Sequence, residues 1–87
     1  MEPPVALEKQ VHLQHFAVVR AARGRAEETV TTAAQSPRAL FAELGLAAHG
    51  GLDPSWLRVA INDAFCGWDD GLRDGDRVVF IAPVSGG

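Results

Sequence analysis

The sequence predicts an α+β roll: a mixed sheet with one main helix packed on one face. Three observations carry that expectation. Val11–Val19 and Glu27–Thr32 are rich in β-branched residues and flank a Gly-containing turn, so they read as two paired strands. Ser36-Pro37 opens a segment whose apolar residues recur at helical spacing. Arg77–Ala82 is apolar at every position after the first, the pattern of a central strand covered on both sides.

The elements follow in order. Residues 1–10, with Pro3-Pro4 and the charged Glu2, Glu8 and Lys9, read as a flexible leader. The first strand, Val11–Val19, alternates imperfectly: Val11 and Leu13 share one parity, Phe16 and Val18 the other. A bulge or two partly covered faces would account for that. Arg20–Arg25 holds Gly24 and three arginines and reads as the turn to the second strand, Glu27–Thr32. Ser36 then caps a helix and Pro37 fits its first position. Leu40, Phe41 and Leu44 share one face, and Gly45 ends the helix. Residues 47–54 are loop. Leu57, Val59 and Ile61 alternate with polar or small residues as a half-buried strand. Asn62-Asp63 and residues 67–71 are turn material, with a short strand near Phe65 between them. Asp74-Gly75-Asp76 is a tight turn into the last strand. The order hairpin, helix, strands is that of a β-grasp, or ubiquitin-like, roll, although other α+β folds satisfy the same string. Residues 11–87 form a single such domain, since 87 residues bury one modest core at most.

Composition excludes several function classes. Eight basic residues against eleven acidic ones give a net charge of −3, which argues against nucleic acid as a partner. No apolar run is long enough to span a membrane, and the N-terminus lacks the apolar stretch of a secretory signal. One cysteine, Cys66, permits no internal disulfide and suggests a cytoplasmic protein. No phosphate-binding loop, dinucleotide fingerprint or paired cysteines for zinc are present. His12 and His15 lie three apart on a strand, so they face opposite ways and cannot share a metal ion; each reads as a surface or half-buried histidine. His49 stands alone in a loop. The aspartates are scattered through turns, where Asp is favoured for local hydrogen bonding. Cys66 has no base nearby and reads as a small packing residue.

The C-terminus carries the informative pattern. Pro83 cannot donate to a ladder, so the chain is expected to leave the sheet there. Val84, Ser85, Gly86 and Gly87 follow. Two side-chain-free residues make a thin, mobile tail, 83–87, able to thread a narrow channel. Its one reactive group is the Gly87 carboxylate. A carboxylate is a poor electrophile and needs activation, most simply as an acyl-adenylate.

With these residues in view, the sequence resembles the small subunit of molybdopterin synthase, a sulfur-carrier family of ubiquitin-like fold. The resemblance rests on Asp74-Gly75-Asp76-Arg77-Val78-Val79-Phe80-Ile81-Ala82-Pro83-Val84-Ser85-Gly86-Gly87, against a family ending of about D-G-D-x-V-x-F-x-P-P-V-x-G-G. Phe16-Ala17-Val18-Val19-Arg20 is similar to the family's F-A-x-x-R, and Val59-Ala60-Ile61-Asn62 to its A-V-N strand. Ala82 departs from the usual first proline, and about ten residues extend the N-terminus.

The resemblance implies that an E1-like activating enzyme adenylates Gly87 with ATP. A sulfur donor system then makes a C-terminal thiocarboxylate, and the tail, Pro83 to Gly86, threads into the large synthase subunit. Sulfur passes there to a pyranopterin precursor in molybdenum cofactor biosynthesis. The assembly implied is a heterotetramer whose catalytic side chains belong to the large subunit; no cofactor is bound by the carrier itself. Val78 and Phe80 are expected to face the helix. Val79 and Ile81 are then left on a face that no second helix covers. With Phe16 and Phe65, which match family positions, they form the expected partner interface. Three other readings compete. The carrier could serve a thiazole or cysteine pathway. It could be a ubiquitin-like modifier joined to lysines of other proteins. It could also be an interaction domain whose terminus is inert.

Overall fold

The computed structural model describes residues 8–82. The tail residues Pro83 to Gly87, and the expected leader as far as residue 7, lie outside them. Within the described span the elements are β1 (Lys9–His15), α1 (Ala17–Arg23), β2 (Glu27–Thr32), α2 (Pro37–Glu43), a single 3-10 turn (Pro54–Trp56), β3 (Arg58–Ile61), β4 (Ala64–Cys66) and β5 (Arg77–Ile81). The five strands form one mixed sheet in the order β2-β1-β5-β3-β4. β1 runs parallel to β5, and the other neighbours are antiparallel. The α+β class, the mixed sheet and the central place of β5 agree with the sequence expectation.

α2 forms as its sequence dictates. The Ser36 hydroxyl accepts from the Ala39 N–H at 3.2 Å, and Pro37 occupies the first turn. Gly45, at φ +72°, turns the chain away after the last turn. Leu40 and Phe41 point into the sheet and are fully buried against Val11, Leu13, Val59, Val78 and Phe80. Phe41 meets the Phe80 ring edge-on at 5.2 Å, and Trp68 stacks over Phe80 at 5.5 Å. These rings seal the core on the α2 side and contribute beyond their buried area.

The main correction concerns the first strand. It stops at His15 instead of Val19, and residues 17–23 form a second helix. Phe16 is still extended (φ −129°, ψ 154°), but Ala17 turns the chain at φ +49°. The cause is tertiary. Val19 is fully buried in the common core, and Gly24 closes the helix in the left-handed region, its N–H bonded to the Arg20 carbonyl. Arg20 and Arg23 lie in the last turn, where the helix dipole favours cations. The expected turn at Arg20–Arg25 therefore shrinks to residues 24–26. The parity break at Phe16 needs no bulge, because the strand has already ended.

Two smaller corrections follow. Lys9 and Gln10, placed in the leader by the sequence, belong to β1. The Asp74-Gly75-Asp76 turn grips Gln10: its N–H donates to the Asp74 carboxylate and its carbonyl accepts from the Gly75 N–H, each at 2.7 Å. His15 is fully buried, not at the surface. It shares the core face of β1 with Val11 and Leu13 and bonds Glu28 at 2.8 Å, whereas His12 lies exposed on the other face.

Candidate functional site

The two helices occupy one side of the sheet. Val19 of α1 shares the core with Leu40 of α2, and the Arg23 guanidinium donates to the Leu44 carbonyl. Among the described residues no helix covers the opposite face. Register sets what that face presents. Gln14 is level with Val79, Val79 with Ala60, and Ala60 with Phe65. Side chains level across neighbouring strands point the same way. A row of four strands thus runs from polar Gln14 to aromatic Phe65.

Phe16, Phe65, Val79 and Ile81, the residues singled out in the sequence, come together here. With Gln14, Ala60 and Asp63 they line a shallow hollow of about 300 Å³. Phe65 is 69% exposed and Phe16 52%, large values for phenylalanine. Val79 and Ile81 form the floor, buried and half-buried respectively. Phe16 follows β1 directly, still extended, just before the Ala17 turn. Phe65 arrives through the Asn62-Asp63 turn, a two-residue hairpin with both residues at positive φ (52° and 72°). Gln14 and Ala60 were missed in the sequence. The signal was register: both lie directly beside Val79 once the strands are paired.

Polar groups border the hollow. Arg77 and Asp63 form an exposed ion pair at 2.7 Å. On the β2 side, His12 bonds the Thr29 hydroxyl at 2.9 Å within a second, polar groove that also takes in Glu27 and Arg77. Such pairs add little stability but mark the rim of the apolar surface. Cys66 sits at the edge of the sheet, where burial, with the carboxylates of Asp70 and Asp76, pushes its thiol pKa up. A raised pKa disfavours the thiolate that a nucleophile requires.

Ile81 ends β5 beside the hollow, and Ala82 is the last described residue. The expected threading residues Pro83, Val84, Ser85 and Gly86, and the reactive Gly87, lie outside the described residues. Among the described residues no group of three or more His, Cys, Asp or Glu side chains could hold a metal ion. No described helix is long and apolar enough to cross a membrane.

Comparison with known proteins places this geometry. No curated protein sequence matches the chain. Among solved structures, a putative molybdopterin converting factor subunit 1 from Pyrococcus furiosus is 26% identical, with a TM-score of 0.70 over 87% of this chain and 99% of that one. Subunit 1 in the complex of subunits 1 and 2 of molybdopterin-converting factor from Helicobacter pylori is also 26% identical, with a TM-score of 0.54 over 90% and 99%. Small archaeal modifier protein 1 from Methanosarcina acetivorans shares the fold at 20% identity, with a TM-score of 0.71 over 92% and 98%. The ubiquitin-like β-grasp fold expected from the sequence is therefore present. The ThiS family matches residues 13–87, nearly the whole described sheet and the glycine ending together, and the chain belongs to the ThiS family.

Proposed function

We propose that this protein is the sulfur carrier subunit of a molybdopterin synthase. One observation carries the reading: the apolar hollow of Phe16, Phe65, Val79 and Ile81 lies at the end of the strand that continues into Pro83-Val84-Ser85-Gly86-Gly87. A docking surface beside the reactive end lets a partner grip the body while it receives the terminus. The Helicobacter pylori protein of similar fold is a subunit of a two-component converting factor, which supports a large subunit as that partner. The implied assembly is a heterotetramer, and a cytoplasmic site of action goes with this reading.

The chemistry is confined to Gly87. An E1-like enzyme uses ATP to form the acyl-adenylate, and a sulfur donor displaces AMP to leave the thiocarboxylate. Sulfur then moves to the pyranopterin precursor in the large subunit, whose side chains do the catalysis.

Intact mass spectrometry tests this. Incubation with ATP, the activating enzyme and a sulfur donor should raise the mass by the difference between sulfur and oxygen. Deleting Gly86 and Gly87 should abolish that gain. Adding the large subunit and the precursor should then release the sulfur and yield molybdopterin. Thiocarboxylate that turns over only with thiazole-forming or cysteine-forming enzymes would assign those pathways instead. Isopeptide conjugates on other proteins would assign a modifier. No mass change with enzymes active on another carrier would overturn the carrier reading.

A further inference from the structure

Asp76 is a buried carboxylate that the proposed chemistry does not use. It stands directly before β5, and neutral donors take both of its oxygens. The Asn62 amide donates to Oδ1 at 2.9 Å and the Arg73 N–H to Oδ2 at 2.8 Å. The Asp76 carbonyl accepts from the His12 N–H of β1 at 2.9 Å. Asn62 is held on its other side as well. Its side-chain oxygen accepts from the Arg77 N–H at 2.9 Å, and its own N–H donates to the Arg77 carbonyl at 2.8 Å. Asp76 thus joins β1, the start of β5 and the β3–β4 turn at one end of the sheet.

The turn held in this way is the one that delivers Phe65. Its second residue, Asp63, sits at φ +72°, where a hairpin of this kind ordinarily takes glycine. Asp63 instead supplies a carboxylate to Arg77 of β5 at 2.7 Å. Phe65 has little packing of its own to fix it, since it is mostly exposed and β4 is a three-residue edge strand. The place of its ring at the hollow therefore follows from the adjoining turn and not from the core.

We propose that Asp76 is a positioning residue for docking: through Asn62 it fixes the β3–β4 hairpin against β5 and so holds Phe65 where the partner meets it. The inference rests on the reading that the hollow docks a large synthase subunit. A ring set in advance loses little freedom on binding. A hairpin that swings binds only from its docked position, and if it is there about a tenth of the time the affinity falls about tenfold.

The pair has a polarity that can be reversed. Asp76 accepts from Asn62 and Arg73, and Asn62 accepts from Arg77. Exchanging the two side chains, Asn62→Asp with Asp76→Asn, satisfies the same backbone groups. The new carboxamide accepts from the Arg73 N–H and donates to the new carboxylate, whose second oxygen accepts from the Arg77 N–H. Asp, like Asn, tolerates the positive φ of position 62. Either change alone fails. Asp76→Asn sets an amide donor against another donor, and Asn62→Asp sets two carboxylates face to face.

The experiment titrates the full chain against the large subunit of a molybdopterin synthase by calorimetry and follows amide exchange at 64–66 in the free carrier. Both are run well below each melting transition, where a merely less stable carrier is still fully folded and binds as the wild type does. Each single variant should bind at least about tenfold more weakly, with its largest rise in exchange at 64–66. The double variant should recover to within about threefold of the wild type, because the two changes couple. Should a single variant fail to fold, Asn62→Gly keeps the positive φ and removes only the side chain, with the same loss expected. Wild-type affinity in a folded single variant, or in Asn62→Gly, would overturn the proposal. So would a double variant that does not fold or that binds no better than the single variants. Failure of the sulfur-carrier reading would show separately, as a wild type that does not bind the large subunit, and the exchange data would still decide whether the pair holds the hairpin.

Discussion

Glu28 ties β2 to α1 and β1 through three side-chain hydrogen bonds. Its carboxylate accepts from Arg23 Nε and Nη2, each at 2.6 Å, and from His15 Nε2 at 2.8 Å. The Arg23 bonds are the main reason its pKa falls to about 2, and His15 adds to them against the cost of burial. Because Glu28 is ionised it accepts only, so His15 must donate through Nε2; its Nδ1 is then buried with no hydrogen-bond partner among the described residues. The linkage has a definite sign. The folded pKa lies below the ordinary 4.5, so the contribution is complete above that pH and is lost as pH falls toward about 2. Glu28→Gln should lower stability at neutral pH by on the order of 3 kcal/mol. Urea titrations from neutral to strongly acid pH should show a flatter profile for the variant in that window. His15 was misread as a surface or half-buried histidine, although counting by two from Leu13 places it on the core face. The strand was read four residues too long, which hid where that count ended.

The elements divide by how local their causes are. α2, β2 and β5 were legible because cap, β-branched run and apolar run act within each segment. α1 was not, since Val18 and Val19 favour strands on propensity and only burial of Val19 in the shared core overrides them. The β3–β4 hairpin lies between these cases. Asn62-Asp63 marks a turn in the sequence, but what anchors it does not show there. Asn62 donates to the Asp76 carboxylate and accepts from the Arg77 N–H, each at 2.9 Å, and so ties the hairpin to the start of β5. It does so at φ +52°, a conformation that Asn tolerates better than most residues. Asn62→Ala should therefore cost about 2–3 kcal/mol, the sum of two hydrogen bonds and a disfavoured φ. Amide exchange should accelerate most in β4, the edge strand that carries Phe65. Equal acceleration across β1 and β2 would mean that the turn supports the whole sheet and not the hairpin alone.

At the scale of the whole sheet, one face is covered and one is open among the described residues, and the candidate site depends on that asymmetry. The sequence exposed the asymmetry correctly through β5, where Val78 and Phe80 share one parity and Val79 and Ile81 the other. The unforeseen α1 packs on the side already covered, so it leaves the open face unchanged. What the sequence could not show was the register that aligns Gln14, Val79, Ala60 and Phe65, because no local rule fixes pairing between distant strands. The open face separates binding from stability. Phe65 is mostly exposed, and a fold that gains little from a side chain loses little without it. Phe65→Ser should change the melting temperature by no more than a few degrees, on the order of 0.5 kcal/mol. Under the proposed function, the same change should weaken binding to the large subunit of a molybdopterin synthase by at least about thirtyfold, about 2 kcal/mol, if the ring is an anchor of the interface. Ile81→Asp puts a charge on the half-buried floor, so it should cost more folding stability than Phe65→Ser and still leave a cooperative unfolding transition. Calorimetry of both monomers, with titration against the large subunit, checks the pair. Two folded variants that bind as tightly as the wild type would remove the hollow from the docking surface.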